Sequence, residues 1–259
     1  MSPERLLILG GTAEAAALAQ GAVARFGDRL HVTTSLAGRT ERPGPIPGEI
    51  RIGGFGGTSG LAAYLTECGI DRLIDATHPF AARISAAARL ACEVAGVPRL
   101  MVVRPPWRRH PMDRWIEVGD MAAAAATVGR VGRRAWLTVG ASEIGRFSAV
   151  TGVHFLVRLI DPPRRGVPLR SYRLVVGRGP FGLAEERRLF ARHAIDVLVC
   201  KASGGAATEA KIVAARELGL PVVMVQRPRM EPGEAVDSVA KALEWLARAD
   251  LFDEAKRVS

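Results

Sequence analysis

"RLLILGGTAEAAALA", Arg5 to Ala19, decides the fold of this chain. Leu6–Leu9 is a short unbroken apolar run, which suits a strand buried on both faces, and Ala13–Arg25 carries an alanine-rich helical pattern. Between them, Gly10 and Gly11 tolerate positive φ and let backbone N–H groups approach an anion with no Cβ in the way. Thr12 is placed to cap the helix, whose N-terminal dipole favours a negative ligand. Strand, glycine turn and helix in this order open a βαβ nucleotide-binding unit. The G-x-G-x-x-G spacing is missing, so the same turn also suits a plain bend.

Working outward, short apolar runs keep alternating with alanine-rich helical patterns, the signature of βαβ units and a mainly parallel sheet. In the first half, strands are expected at Leu6–Leu9, Leu30–Thr34, Glu49–Ile52, Arg72–Ile74 and Arg99–Val103, and helices at Ala13–Arg25, Ser59–Cys68 and Ala81–Ala95. "VRPPWRRHPMDRW" follows, with three prolines and four arginines between Arg104 and Arg114. Consecutive prolines continue neither a helix nor an interior strand, so this stretch marks a domain boundary. Beyond it, strands are expected at Trp115–Val118, Ala135–Val139, Phe155–Ile160, Arg173–Val176, Val197–Cys200 and Val222–Val225. Helices are expected there at Met121–Val128, Leu183–His193, Ala207–Leu218 and Val236–Leu251. The reading is an α/β protein of two doubly wound Rossmann-like domains, residues 1–104 and 105–259, with mainly parallel sheets and an interdomain cleft.

Composition narrows the function. The 36 Lys and Arg outnumber 26 Asp and Glu, giving a formal charge of +10 that attracts polyanions: nucleic acid, a phosphorylated cofactor or a polycarboxylate. An arginine-rich proteome would give the same excess. Aromatics at 5% and the lack of a basic tract argue against nucleic acid. No apolar span of membrane length occurs, and no basic segment followed by a long apolar one opens the chain, so neither a membrane nor a secretory destination is expected. Cys68, Cys92 and Cys200 are dispersed, which argues against disulfide or zinc scaffolds and for a reducing, cytoplasmic setting. Metal-ligand, P-loop and hydrolase-elbow motifs and the Tyr-x-x-x-Lys pair are all missing, and no metal is expected.

Ligands of open α/β sheets sit beyond the carboxyl ends of strands, so those loops carry the functional reading. "TTSLAGRT" ends the second strand with hydroxyls, Ser35 among them, and with Arg39; no carboxylate appears until Glu41. A 2′-phosphate suits Arg39 better than a bare ribose does, which favours NADP over NAD. "GGFGGTSG", Gly53–Gly60, is a second glycine-rich loop. "IDATHPFAARIS", Ile74–Ser85, sets Thr77 and His78 at a strand end just before Pro79, a residue suited to the first turn of the next helix. "VVGRGPFGLAEERR" holds a formal G-x-G-x-x-G at Gly177, Gly179 and Gly182, but Pro180 removes an N–H and Glu185 and Glu186 would repel a phosphate. "LVCKASGG" is stronger: Lys201 at a strand end and the turn Ser203-Gly204-Gly205 make an anion pocket of one cation and backbone donors.

Taken in order, "LILGGTAEAAALA", "DATHPFAARIS", "RPPW", "FLVRLIDPP", "GRGPF" and "KASGGAATEAKIVAARELGLPVVMVQRP" resemble the precorrin-6A reductases of cobalamin biosynthesis over nearly the whole chain. "ATHPFA" and "K-x-SGG" are the most specific parts, and Arg39–Gly48 is the hardest to match. The resemblance implies NADPH as cofactor and reduction of one double bond of the corrin macrocycle, giving precorrin-6B. It implies an anionic corrinoid precursor, precorrin-6A, whose rim carboxylates would meet Arg104, Arg108, Arg109 and Arg158. Cofactor contacts are expected from Gly10, Gly11, Thr12, Ser35, Arg39, Thr77, Ser203, Gly204 and Gly205. Either glycine-rich helix start could take the pyrophosphate, leaving the other for a substrate carboxylate. His78 and Lys201 lead the titratable groups for the accompanying proton, ahead of Tyr172, His154 and water. An NADP-sensing regulator without catalysis and a methyltransferase of the same pathway are the alternatives; the latter would need an acidic ribose ligand that "TTSLAGRT" does not supply.

Overall fold

The computed structural model describes residues 2–38, 44–163 and 166–257, so Arg39 lies outside the described residues. The chain divides into two compact units, Met1–Arg104 with Pro228–Ser259, and Pro105–Arg227.

The first unit runs β1 (Glu4–Leu9), α1 (Ala13–Phe26), β2 (Leu30–Leu36), β3 (Glu49–Ile52), α2 (Thr58–Glu67), β4 (Arg72–Asp75), α3 (Ala82–Ala95) and β5 (Arg99–Val102). In the second, β6 (Arg114–Val118), α4 (Met121–Val131), β7 (Arg134–Leu137), β8 (His154–Leu159), β9 (Tyr172–Val176), α5 (Leu183–Arg192), β10 (Val197–Lys201), α6 (Ala210–Glu217) and β11 (Pro221–Val225) follow. The chain then returns to the first unit with β12 (Ala235–Val236) and α7 (Val239–Arg257).

That return corrects the expected second domain of 105–259. The expected cut after Arg104 coincides with the first crossing, but Pro228 onward belongs with the N-terminal unit. β12 extends the first sheet by pairing in parallel with β5, and Ala242 and Leu246 of α7 are buried among Leu18, Ala19 and Ala22 of α1. Gly21 makes the helix contact close, because a Cβ there would stand 2.7 Å from Leu243. Arg72, itself buried, donates to the Leu246 carbonyl at 2.8 Å and pairs with Glu4 at 2.6 Å.

Both sheets are wholly parallel. The first has the order β3-β2-β1-β4-β5-β12. Alternate residues of β1 explain why it is an apolar run: Leu6 and Ile8 pack toward α1 and α7, Leu7 and Leu9 toward α2 and α3. Each such fully buried leucine contributes about 1.5–3 kcal/mol over an exposed one. The second sheet reads β9-β8-β7-β10-β11-β6. Here Leu198 and Cys200 of β10 join Phe190, Ile212 and Ala215 in one cluster, while the alternating Val197 and Val199 are buried as well.

The two orders are the same pattern. Counting from β1 and from β7, each sheet runs 3-2-1-4-5 and then one further strand, supplied by later chain in the first unit (β12) and by earlier chain in the second (β6). Strand order therefore reverses once in each sheet, between β1 and β4 and between β7 and β10. Such reversals open the crevice where open α/β sheets bind ligands.

Candidate functional site

At the first reversal the glycine turn has the form the sequence suggests. Gly10 donates to the Ser35 carbonyl at 2.9 Å, and a Cβ on Gly10 would meet Thr34 at 2.9 Å. Gly11 has φ +99°, and nothing lies within 4 Å of where its Cβ would stand. Thr12 caps α1, accepting from the Ala15 N–H at 3.1 Å while donating to the Ala76 carbonyl at 2.7 Å. That one hydroxyl ties the turn after β1 to the turn after β4, and a cap of this kind is worth about 1 kcal/mol. Ser35 is buried at the end of β2, beside Thr34, whose buried hydroxyl finds no hydrogen-bond partner.

After β4, the buried Asp75 shapes the loop. Its carboxylate accepts from the Thr77 N–H at 3.1 Å and from the Thr77 hydroxyl at 2.6 Å. His78 is half-buried, and its Nδ1 accepts from the Phe80 N–H at 3.2 Å, which leaves the ring proton of the neutral imidazole on Nε2. Pro79 is not the first helical residue, since α3 starts at Ala82. Gly10, Gly11, Thr12, Ser35, Thr77 and His78 thus gather at the carboxyl ends of neighbouring strands.

Arg104, expected as a ligand of substrate carboxylates, pairs in this structure with a carboxylate of the chain itself. It belongs to the first unit, where Nη1 lies 3.0 Å from both oxygens of Glu14 in the first turn of α1. Glu14 would otherwise set a bare negative charge at the helix start, and Arg104 neutralises it.

In the second unit, Ser203, Gly204 and Gly205 follow β10, and Lys201 is its last residue. The Arg227 guanidinium donates to the Ala202 and Ser203 carbonyls at 2.7 and 2.9 Å, and the Trp107 indole donates to the Gly205 carbonyl at 2.9 Å. Gly204 has φ +66°, and a Cβ there would sit 2.1 Å from the Pro105 carbonyl oxygen. Only glycine fits. Across the reversal, β7 leads through Gly140 into a 3-10 stretch, Ala141–Phe147, rather than an α-helix. The Glu143 carboxylate accepts from the Gly140 N–H at 3.1 Å and pairs with the Lys201 ammonium at 2.5 Å. Sequence reasoning missed Glu143; its one signal was its place three residues after a glycine in the turn that follows a strand.

Arg158, expected at a rim carboxylate, is likewise paired within the chain. It forms a two-armed pair with Glu186, side-chain exposure 11% and 3%, under the ring of Phe181. An arginine in an apolar strand needed a partner, and the partner is internal. Phe181 in turn packs close to Gly177 and Gly179 of the formal G-x-G-x-x-G, just beyond the edge strand β9. Arg108 and Arg109 are exposed, with Glu117 a loose 3.9 Å from Arg109. Burial pushes the Cys92 and Cys200 thiols up to about 11 and about 12, so neither is a ready nucleophile. Among the described residues no helix is long and apolar enough to cross a membrane, and no three His, Cys, Asp or Glu side chains gather as a metal site.

The family model described as precorrin-6x reductase CbiJ/CobK matches residues 5–247. A precorrin-6A reductase of Rhodococcus erythropolis is 44% identical, over 93% of this chain and 97% of its own length. One from Rhodobacter capsulatus is 43% identical, over 94% and 96%. A solved structure of the CobK precorrin-6A reductase superposes with a TM-score of 0.89 at 42% identity, covering 95% of this chain and 96% of that one.

Proposed function

The chain belongs to the precorrin-6x reductase family, and from that membership we propose how its two strand reversals divide the work of reducing precorrin-6A. It is an oxidoreductase acting on a corrin precursor, and its Rossmann strand order is consistent with a nicotinamide cofactor. We infer that the cofactor is NADPH and that the first unit holds it. The observation that carries this is the difference between the two reversals. After β1 stand an open glycine turn and a capped fourteen-residue α-helix. After β7 there is only a 3-10 stretch, and the Gly140 N–H is already occupied by the Glu143 carboxylate.

Gly10, Gly11 and the start of α1 would take the pyrophosphate, with Thr12 and Ser35 fixing the turn around it. Arg39 is assigned to the 2′-phosphate, for which "TTSLAGRT" offers no competing carboxylate. Thr77 holds the loop that presents His78. NADPH, when bound, supplies the hydride, and the chain's part is to bind, orient and exclude water. In the second unit, Lys201 with the N–H groups of Gly204 and Gly205 forms the seat for a rim carboxylate of the corrinoid, the Ser203 N–H donating instead to the Lys201 carbonyl at 2.7 Å, and exposed Arg108 and Arg109 attract others. Lys201 and His78 (through Nε2) are the two groups assigned to deliver the proton that accompanies hydride addition. The three cysteines, free thiols in the fold, suit the reducing cytoplasm.

The test is NADPH oxidation at its absorbance band with purified protein and precorrin-6A, run beside NADH. Oxidation that requires the corrinoid and prefers NADPH is expected, as is a loss of that preference in Arg39→Ala. Saturable NADPH binding without oxidation would favour a sensor; no binding of either nucleotide would make the Gly10–Thr12 turn a mere bend.

A further inference from the structure

Lys201 ends β10 with its side chain largely withdrawn from water, 15% exposed. A lysine on a four-carbon stem is a poor fixed reference for a ligand unless something holds its ammonium. Glu143 does so. Its carboxylate is 26% exposed and lies 2.5 Å from Nζ, and it is itself pinned by the Gly140 N–H at 3.1 Å. The capping geometry gives the glutamate one orientation, so the ammonium inherits a fixed position at the carboxyl end of β10. The ladder beneath is fixed as well, for Thr138 beside Gly140 donates its N–H and its hydroxyl to the Val199 carbonyl of β10, at 3.0 and 3.1 Å. On the other side of Lys201, the Arg227 guanidinium donates to the carbonyls of Ala202 and Ser203, so the segment that follows the lysine is held as well.

We propose that Glu143 is a positioning residue of the reductase: it orients the Lys201 side chain toward the substrate. This rests on the assignment of Lys201 to the corrinoid. Were Glu143 only a cap for Gly140, its effect would be independent of what stands at 201. As a positioning residue, its effect exists only through Lys201.

A double-mutant cycle separates the two, because coupling appears as non-additivity. The amide of Glu143→Gln keeps an acceptor for Gly140 while removing the charge that holds Lys201. Steady-state NADPH oxidation is measured with precorrin-6A for wild type, Glu143→Gln, Lys201→Ala and the double variant, with single-turnover rates where turnover is slow. Competitive acylation of Lys201, read by mass spectrometry, accompanies it. Glu143→Gln is expected to lower kcat/KM about tenfold with an unchanged NADPH dissociation constant and melting temperature, and to raise the acylation rate of Lys201. The double variant is expected to match Lys201→Ala within twofold. Multiplicative losses in the double variant, or a Glu143→Gln enzyme within twofold of wild type, would overturn the proposal alone. A wild type that leaves NADPH unoxidised in the presence of precorrin-6A would overturn the functional reading and this proposal with it.

Discussion

Arg158 donates from its two terminal nitrogens to the two carboxylate oxygens of Glu186, at 3.1 and 2.9 Å, deep in the second unit. Its guanidinium also lies 4.6 Å from the Trp136 ring centroid and 3.7 Å from that of Phe181. Removing one member of so buried a pair strands the other charge, at about 3–5 kcal/mol, whereas replacing both with apolar residues of similar volume costs far less. Arg158→Met is therefore expected to lower the urea midpoint sharply, and Arg158→Met with Glu186→Leu to restore most of it. The KM for precorrin-6A of the folded single variant should stay near that of wild type. A stable Arg158→Met enzyme with a raised KM would return Arg158 to the substrate.

Gly11 and Gly204 test which loop holds the cofactor. Each has positive φ, +99° and +66°, but a Cβ on Gly11 enters open space while one on Gly204 strikes the Pro105 carbonyl. Gly11→Ala should fold, with about 1–2 kcal/mol of backbone strain. It should weaken NADPH about tenfold in a fluorescence titration. Gly204→Ala should bind NADPH as wild type does, yet lose more than tenfold in kcat/KM for the corrinoid. The opposite pattern would move the pyrophosphate to the second unit.

Much of this was legible because parallel strands buried on both faces read as apolar runs, as Leu6–Leu9 and Val197–Cys200 do. What stayed hidden depends on partners distant in the chain. Two residues, Ala235 and Val236, make up the strand that returns the C-terminus to the first sheet, too few for any periodicity. The close approach of α7 depends on Gly21 being small where Leu243 arrives, a fact of packing rather than pattern. Arg158 and Arg104 read as available cations because their carboxylates lie 28 and 90 residues away. The repeated strand order escaped notice because its sixth strand comes from opposite directions along the chain. The glycine turns and His78 could be located at strand ends from the sequence alone, whereas the place of Glu143 needed the second sheet to bring β7 beside β10.

Thiol reactivity should follow burial. Cys92 and Cys200 are buried and Cys68 is half-buried, and burial raises the first two from the ordinary 9 to about 11 and about 12. At pH 8 Cys68 alone should react promptly with Ellman's reagent, the others only in denaturant. A raised folded pKa also sets a sign: above pH 9 the unfolded chain releases thiol protons that the folded one keeps. These two groups should thus cost nothing below pH 9 and erode stability as pH climbs from 9 toward 11 and 12. Cys200→Ala should flatten that decline in urea midpoints measured between pH 8.5 and 10.5. An equal slope in both proteins would mean the thiol ionises as readily inside the fold as outside.

Arg104 and Glu14 give the sharpest electrostatic test of the cofactor site. Glu14 sits in the first turn of α1, two residues past the Thr12 cap, where a pyrophosphate would meet its charge. Arg104 holds both carboxylate oxygens at 3.0 Å, with 15% of its own side chain and 27% of that of Glu14 exposed. Arg104→Ala should therefore unmask Glu14 and weaken NADPH about tenfold, a loss that shrinks as salt screens the repulsion. Adding Glu14→Gln to Arg104→Ala should restore affinity to within a few-fold of wild type, because the repulsive charge is then gone. Were Arg104 a direct ligand of the substrate, the second substitution would restore nothing. The loss would then fall on the KM for precorrin-6A while the NADPH titration stayed unchanged.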